Sequence, residues 1–246
     1  AALKGCHFEN NTALNYPVTK GERIEGFRDI DLIKIPLRDE NGELKSTSQL
    51  DTEVLNAITK TNELGRHVVL HVMDQSKLGY QSPSEKLIQS LEQLDTLSMQ
   101  IIVDASQLRL DPKDIQNYLN KGCIVTITGS KYFTGPPYSG ALIVPKNVSQ
   151  TIQDVTIKIP KGLTNYYNRT DWPIAWHCSS DLSEGFNYGS NMRWNAAIVE
   201  MDRYYKTPVL YRNMGIEMFC NFIEDSIKEA TFLQPIYGDE TKTKSF

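Results

Sequence analysis

Residues 99–107, MQIIVDASQ, and residues 123–131, CIVTITGSK, are written to one pattern. Each is a short apolar, β-branched run that suits a buried strand and is too short for a helix. Each then breaks into small and polar residues. Between them Asp111-Pro112 opens a helix to about Asn120, since Asp can cap free amides and Pro is tolerated at the first helical position; Gly122 closes it. A strand, a helix and a strand in that space form a crossover, and crossovers join parallel strands.

Working outward, the pattern repeats. Residues 67–73, HVVLHVM, are another buried strand, and Ser82-Pro83-Ser84-Glu85 starts a helix with Leu87, Ile88, Leu91 and Leu94 on one face. Residues 140–144, GALIV, are a further strand. The stretch before it holds Gly135-Pro136-Pro137 and has no room for a helix, so this strand is expected to run antiparallel. Upstream, the alternating DLIKIPL at 31–37 reads as a strand, and Ser48 or Asp51 can cap a helix that Gly65 ends. Downstream, 146–190 reads as loop-rich and aromatic, followed by helices over 191–205 and 208–230. The expected fold class is a three-layer α/β domain, with a mixed, mostly parallel sheet and helices on both faces.

Composition narrows the function classes. In 246 residues, 40% are apolar and 23% charged, which places the chain among globular proteins and not disordered ones. A net charge of −4 argues against an extended nucleic-acid footprint. No apolar run approaches the roughly 20 residues that span a bilayer, so no membrane partner is expected. Cys6, Cys123, Cys178 and Cys220 lie far apart with no C-x-x-C pair. They read as reduced thiols and imply a cytoplasmic setting and no metal site.

The chemistry gathers at two strand ends, the edge where open α/β sheets bind ligands. The first gives Asp104-Ala105-Ser106-Gln107, the second Thr128-Gly129-Ser130-Lys131. A carboxylate leaving a buried strand is expected to have little water and to need a positive partner, such as a protonated pyridine nitrogen. Lys131, between a tight turn and Tyr132-Phe133, is expected to be partly desolvated and so nucleophilic towards an aldehyde. Hydroxyls and amides on the Thr128–Ser130 turn suit a phosphate. Amine, carboxylate and phosphate cup together fit pyridoxal 5′-phosphate.

These motifs resemble those of the fold-type I pyridoxal-phosphate enzymes, in particular the class V aminotransferase and cysteine desulfurase-like superfamily. The order Asp104-Ala105-Ser106-Gln107, Thr128-Gly129-Ser130-Lys131, Gly135-Pro136 and Gly140-Ala141-Leu142 is similar to that family's order. The resemblance is strongest over 101–145. It implies that Lys131 is the catalytic lysine and carries the cofactor as a Schiff base. It also implies that Asp104 faces the pyridine nitrogen, that Gln107 contacts the ring oxygen, and that Thr128 and Ser130 bind phosphate. Residues 71–79 occupy the place of the family's substrate-side loop, which puts Gln75 or Asp74 over the cofactor. Arg193, where the chain leaves the large domain, is the candidate for a substrate carboxylate.

The family's upstream phosphate-binding helix start and ring-stacking aromatic have no counterpart in residues 1–64. The chain is therefore expected to be the interior of a longer homodimeric enzyme, truncated at both ends. Residues 1–230 would belong to its large domain and 231–246 would begin a small one. The activity implied is that of an aminotransferase or lyase acting on an amino acid or other amine. The rival readings are an inactive scaffold of the same fold, and an interaction domain using Tyr166, Tyr167, Trp172 and Trp176.

Overall fold

The parallel pairing required by the crossovers is present in the computed structural model, which describes residues 30–76, 79–94, 97–159, 164 and 167–233. Four strands, β1 (Val68–Met73), β2 (Met99–Asp104), β3 (Ile124–Thr128) and β4 (Gly140–Ile143), form a sheet in the order β1-β2-β3-β4. The first three are parallel and β4 returns antiparallel, with Thr128 opposite Gly140. The chain is thus an α/β protein with an open, mostly parallel sheet.

Three helices cover one face. α1 (Thr47–Glu63) buries Leu50, Val54 and Ile58, spaced four apart on one side. α2 (Glu85–Glu92) buries Leu87, Ile88 and Leu91, and α3 (Pro112–Asn120) buries Tyr118. Ile88 and Tyr118 share a core with Val72, Val103, Cys123 and Val125, so α2 and α3 lie on the same side of the sheet. The sequence reading expected helices on both faces; these three share one. Strand order here never reverses, and successive crossovers of one hand then stack on one side. On the opposite face Val69 is 50% and Leu142 57% exposed, while Ile124 is buried. That face carries Asp104, Thr126 and Thr128, because register places Asp104 beside Thr126.

Local caps differ in detail from the sequence reading. Ser46 caps α1 in a reciprocal capping box with Gln49. Asp51 instead accepts hydrogen bonds from the amide and hydroxyl of Ser84, the cap of α2. Residues 31–36 form no ladder: Leu32 and Ile33 are 62% and 57% exposed, and the first bridge is Arg38 with Leu44. Alternation alone cannot make a strand without a partner.

The described residues fall into two compact units, one of 35–143 with 192–233, the other of 30–34 with 144–191. The second contains a helix that the sequence reading treated as loop, α4 (Lys146–Gln153), whose only apolar residues, Val148 and Ile152, are half-buried. Its small core is Ile159, Cys178 and Leu182 with Trp172 and Trp176 packed on it. Trp176 Nε1 donates to Ser149 Oγ at 2.9 Å. Two of the aromatics offered as an interaction surface are therefore packed within their own unit; Tyr166 lies outside the described residues.

Two long helices follow, α5 (Tyr188–Lys206) and α6 (Val209–Glu229). α6 buries no residue, and Tyr211, Met218, Phe219 and Phe222 are each about two-thirds exposed. Cys123 and Cys178 are buried free thiols and Cys220 is a half-buried one, while Cys6 lies outside the described residues. No helix among the described residues is long and apolar enough to cross a membrane.

Candidate functional site

Three loops leave the carboxyl ends of adjacent strands. Gln75 follows β1, Asp104 ends β2 with Gln107 just after it, and Thr128 ends β3 with Ser130 and Lys131 just after it. Parallel neighbours bring these loops side by side.

The loop after β2 is a tight turn. Ser106 N donates to Asp104 Oδ1 at 3.0 Å, and Leu108 N donates to Ala105 O at 2.7 Å. Thr126 Oγ1 lies 3.5 Å from Asp104 Oδ1. Burial raises the Asp104 carboxyl, but donors from Ser106, the Lys131 ammonium and the Thr126 hydroxyl outweigh it and hold the group below the usual carboxylate range. The residue is nevertheless exposed, unlike the poorly hydrated carboxylate expected from its place after a buried strand. Asp104 sits at the last pair of the ladder on the face that α1–α3 leave uncovered. Gln107 is half-buried in the same turn.

The loop after β3 is held by backbone bonds. Gly129 N donates to Ser139 O at 2.8 Å and Gly135 N to Gly129 O at 2.9 Å. Thr128 Oγ1 donates to Ser106 O at 2.8 Å, tying this loop to the Asp104 turn. That hydroxyl proton is engaged inside the protein, so Thr128 has none to donate to a phosphate in this rotamer, contrary to the expectation that it binds one. Ser130 Oγ, half-buried, has no hydrogen-bond partner among the described residues. Lys131 is exposed, a second departure from expectation. Its aromatic neighbours turn away from it: Phe133 is 4% exposed, and Tyr132 packs edge-on to Phe133 and Tyr204. Tyr132 also donates to Tyr204 at 2.9 Å, and burial with that bond pushes its hydroxyl up to about 12.

After β1 the chain folds back, with Met73 bridged to Ser82. Asp74 is buried and accepts a 2.9 Å bond from the Tyr118 hydroxyl, which in turn accepts from Gln81 Nε2 at 3.2 Å. Burial and the Asp74 carboxylate raise the Tyr118 hydroxyl far above its ordinary value, so it stays a donor. Asp74 is thus the structural tie of this loop, and half-buried Gln75 is the side chain left beside the edge.

Small residues, whose mutual contact the sequence reading did not foresee, fix α5 against this edge. A Cβ on Gly129 would stand 2.5 Å from Ala197 Cβ, and one on Gly135 would stand 2.5 Å from Gly129 O and 2.6 Å from Ala197 Cβ. No side chain can replace either hydrogen without displacing its neighbours. Trp194 Nε1 reaches Gly140 O at 3.4 Å. Arg193, one turn before Ala197, is thereby carried beside the Lys131 turn. Its guanidinium carbon lies 5.9 Å from the centroid of the Tyr138 ring.

Among the described residues only Leu108, Thr134 and Tyr138 are non-glycine residues with positive φ, at 51°, 53° and 66°. All belong to the two loops that carry Asp104, Gln107, Ser130 and Lys131. For bulky side chains this conformation is costly, by about 1–2 kcal/mol each, and such strain gathers at functional sites. Among the described residues no cluster of His, Cys, Asp and Glu is placed to hold a metal ion.

The edge thus gathers an ionised carboxylate, an amine within its electrostatic reach, and an unengaged hydroxyl next to the amine. No protein-family model, no curated protein and no solved structure matches the chain.

Proposed function

We propose that this edge binds pyridoxal 5′-phosphate and that the protein is a transferase or lyase acting on amino acids or related amines. The observation that carries the reading is the convergence of Asp104 and Lys131 on two adjacent, strained loops, with the Asp104 carboxyl held ionised. In this reading Asp104 keeps the ring nitrogen protonated, Gln107 and Gln75 border the ring, and Ser130 donates to the phosphate with Thr128 beside it. When bound, the cofactor supplies an aldehyde and an electron-accepting ring. Lys131 would supply the amine that holds the cofactor, and its Nζ would hold a proton at the substrate α-carbon. Arg193 receives a substrate carboxylate through its N–H edge.

The test is chemical trapping. The chain incubated with pyridoxal 5′-phosphate and reduced with borohydride should carry a stable adduct on the peptide holding Lys131. Lys131→Ala protein should carry none there. Asp104→Asn should weaken cofactor binding without unfolding the protein, because Asp104 is exposed and caps no core element.

A second reading, a scaffold that binds another protein, is favoured by α6 and its exposed Tyr211, Met218, Phe219 and Phe222. Apolar surface of that extent is typical of an interface. Failure of the cofactor to bind anywhere on the edge would leave that reading in place.

A further inference from the structure

Tyr138 is the least economical residue of the loop after β3. It is 80% exposed and holds φ at 66°. An exposed tyrosine gains little burial there, and Gly or Asn would take that backbone with less strain. Its flanks are rigid: Ser139 is fully buried, its hydroxyl donates to Pro136 O at 2.9 Å, and its carbonyl accepts from Gly129 N at 2.8 Å. The ring is therefore presented from a fixed base, and what it meets is the guanidinium of Arg193, 5.9 Å from its centroid. Arg193 is fixed in turn by Ala197 against Gly129 and Gly135. Among the described residues Arg193 makes no ion pair. At that distance the guanidinium is in cation–π range of the ring, and its N–H donors, which no described carboxylate occupies, fit a carboxylate.

We propose that Tyr138 is a positioning residue for Arg193, and that the pair is a docking station for the carboxylate of an amino-acid substrate. The substrate assignment rests on the Lys131 reading above; the carboxylate station itself does not. Tyr138 restrains the guanidinium through this cation–π contact, which lowers the ordering cost of a carboxylate contact and leaves Lys131 free for the other end of the substrate. An amine without a carboxylate would lack this contact, so the station selects amino acids over simple amines.

The experiment uses hexanoate and its uncharged counterpart hexanamide, titrated against the full chain without cofactor by saturation-transfer NMR. Hexanoate should bind about tenfold more tightly than hexanamide, the factor expected for one charge-assisted contact. Arg193→Gln should abolish that difference. Tyr138→Phe should retain it, whereas Tyr138→Leu should lose most of it while melting at the same temperature. Equal binding of the two probes, or hexanoate binding indifferent to Arg193→Gln or to Tyr138→Leu, would overturn the proposal. A protein that takes no pyridoxal phosphate yet keeps Arg193-dependent hexanoate binding would refute the cofactor reading and spare this one.

Discussion

Exchanging one methyl group across the Gly129–Ala197 contact tests the packing that sets the site. Gly129→Ala places a Cβ 2.5 Å from Ala197 Cβ, 3.2 Å from Ser139 Oγ and 3.6 Å from Met201 Cε. Only the first contact is impossible. Carbon atoms pack at about 3.5–4.0 Å, so roughly 1 Å of separation must be found. α5 and the loop are both regular and hydrogen-bonded there, and overpacking of this kind costs about 1–3 kcal/mol. Ala197→Gly alone should cost about 1 kcal/mol through helix propensity. In the double variant the methyl has moved from one side of the contact to the other, and its cost should fall below the sum of the singles by at least about 1 kcal/mol.

Gly135→Ala supplies the control. Its Cβ also meets Gly129 O at 2.5 Å, a backbone atom that Ala197→Gly does not remove, so rescue should be small. Urea denaturation of the four swap proteins and of the Gly135 pair measures the couplings. Additive energies for Gly129→Ala and Ala197→Gly, or equal rescue of Gly135→Ala, would refute the claim that these hydrogens hold α5 against the Lys131 turn.

Other outcomes follow from buried groups. Tyr118→Phe removes a donor to the buried Asp74 carboxylate and should destabilise the fold by about 1–3 kcal/mol, read as a lower urea midpoint at unchanged slope. Burial pushes the Cys123 thiol up to about 11. A raised value keeps the thiol protonated below that pH, so native protein at pH 8 should be alkylated faster at half-buried Cys220 than at Cys123, as peptide mapping would show.

Much of the sheet was legible because its signals are local. Apolar runs of strand length, Asp111-Pro112 and Gly122 needed no tertiary information, and the short proline-rich link before Gly140 dictated the antiparallel return. What depended on partners was not legible. DLIKIPL alternates, but no strand among the described residues accepts it. α4 is short, and its apolar pair, Val148 and Ile152, is too small a signal to set it apart from loop. Lys131 was expected to be desolvated by Tyr132 and Phe133, yet those rings serve the packing with Tyr204 instead. The candidate site residues were named from strand ends and motif order, and the fold brings those loops together. The small-residue contact was visible only as glycines near the motif, with nothing to indicate Ala197 across from them. Positive φ at Leu108, Thr134 and Tyr138 had no signal at all, since these residue types rarely adopt it.

The central claim is that Lys131 holds an aldehyde cofactor beside Asp104. Reduction with borohydride after incubation with pyridoxal 5′-phosphate, followed by peptide mapping, tests it most directly. The account predicts one dominant adduct, on Lys131, weakened by Asp104→Asn and absent from that peptide in Lys131→Ala. Adducts scattered over surface lysines, with Lys131 no more modified than the rest, would contradict it.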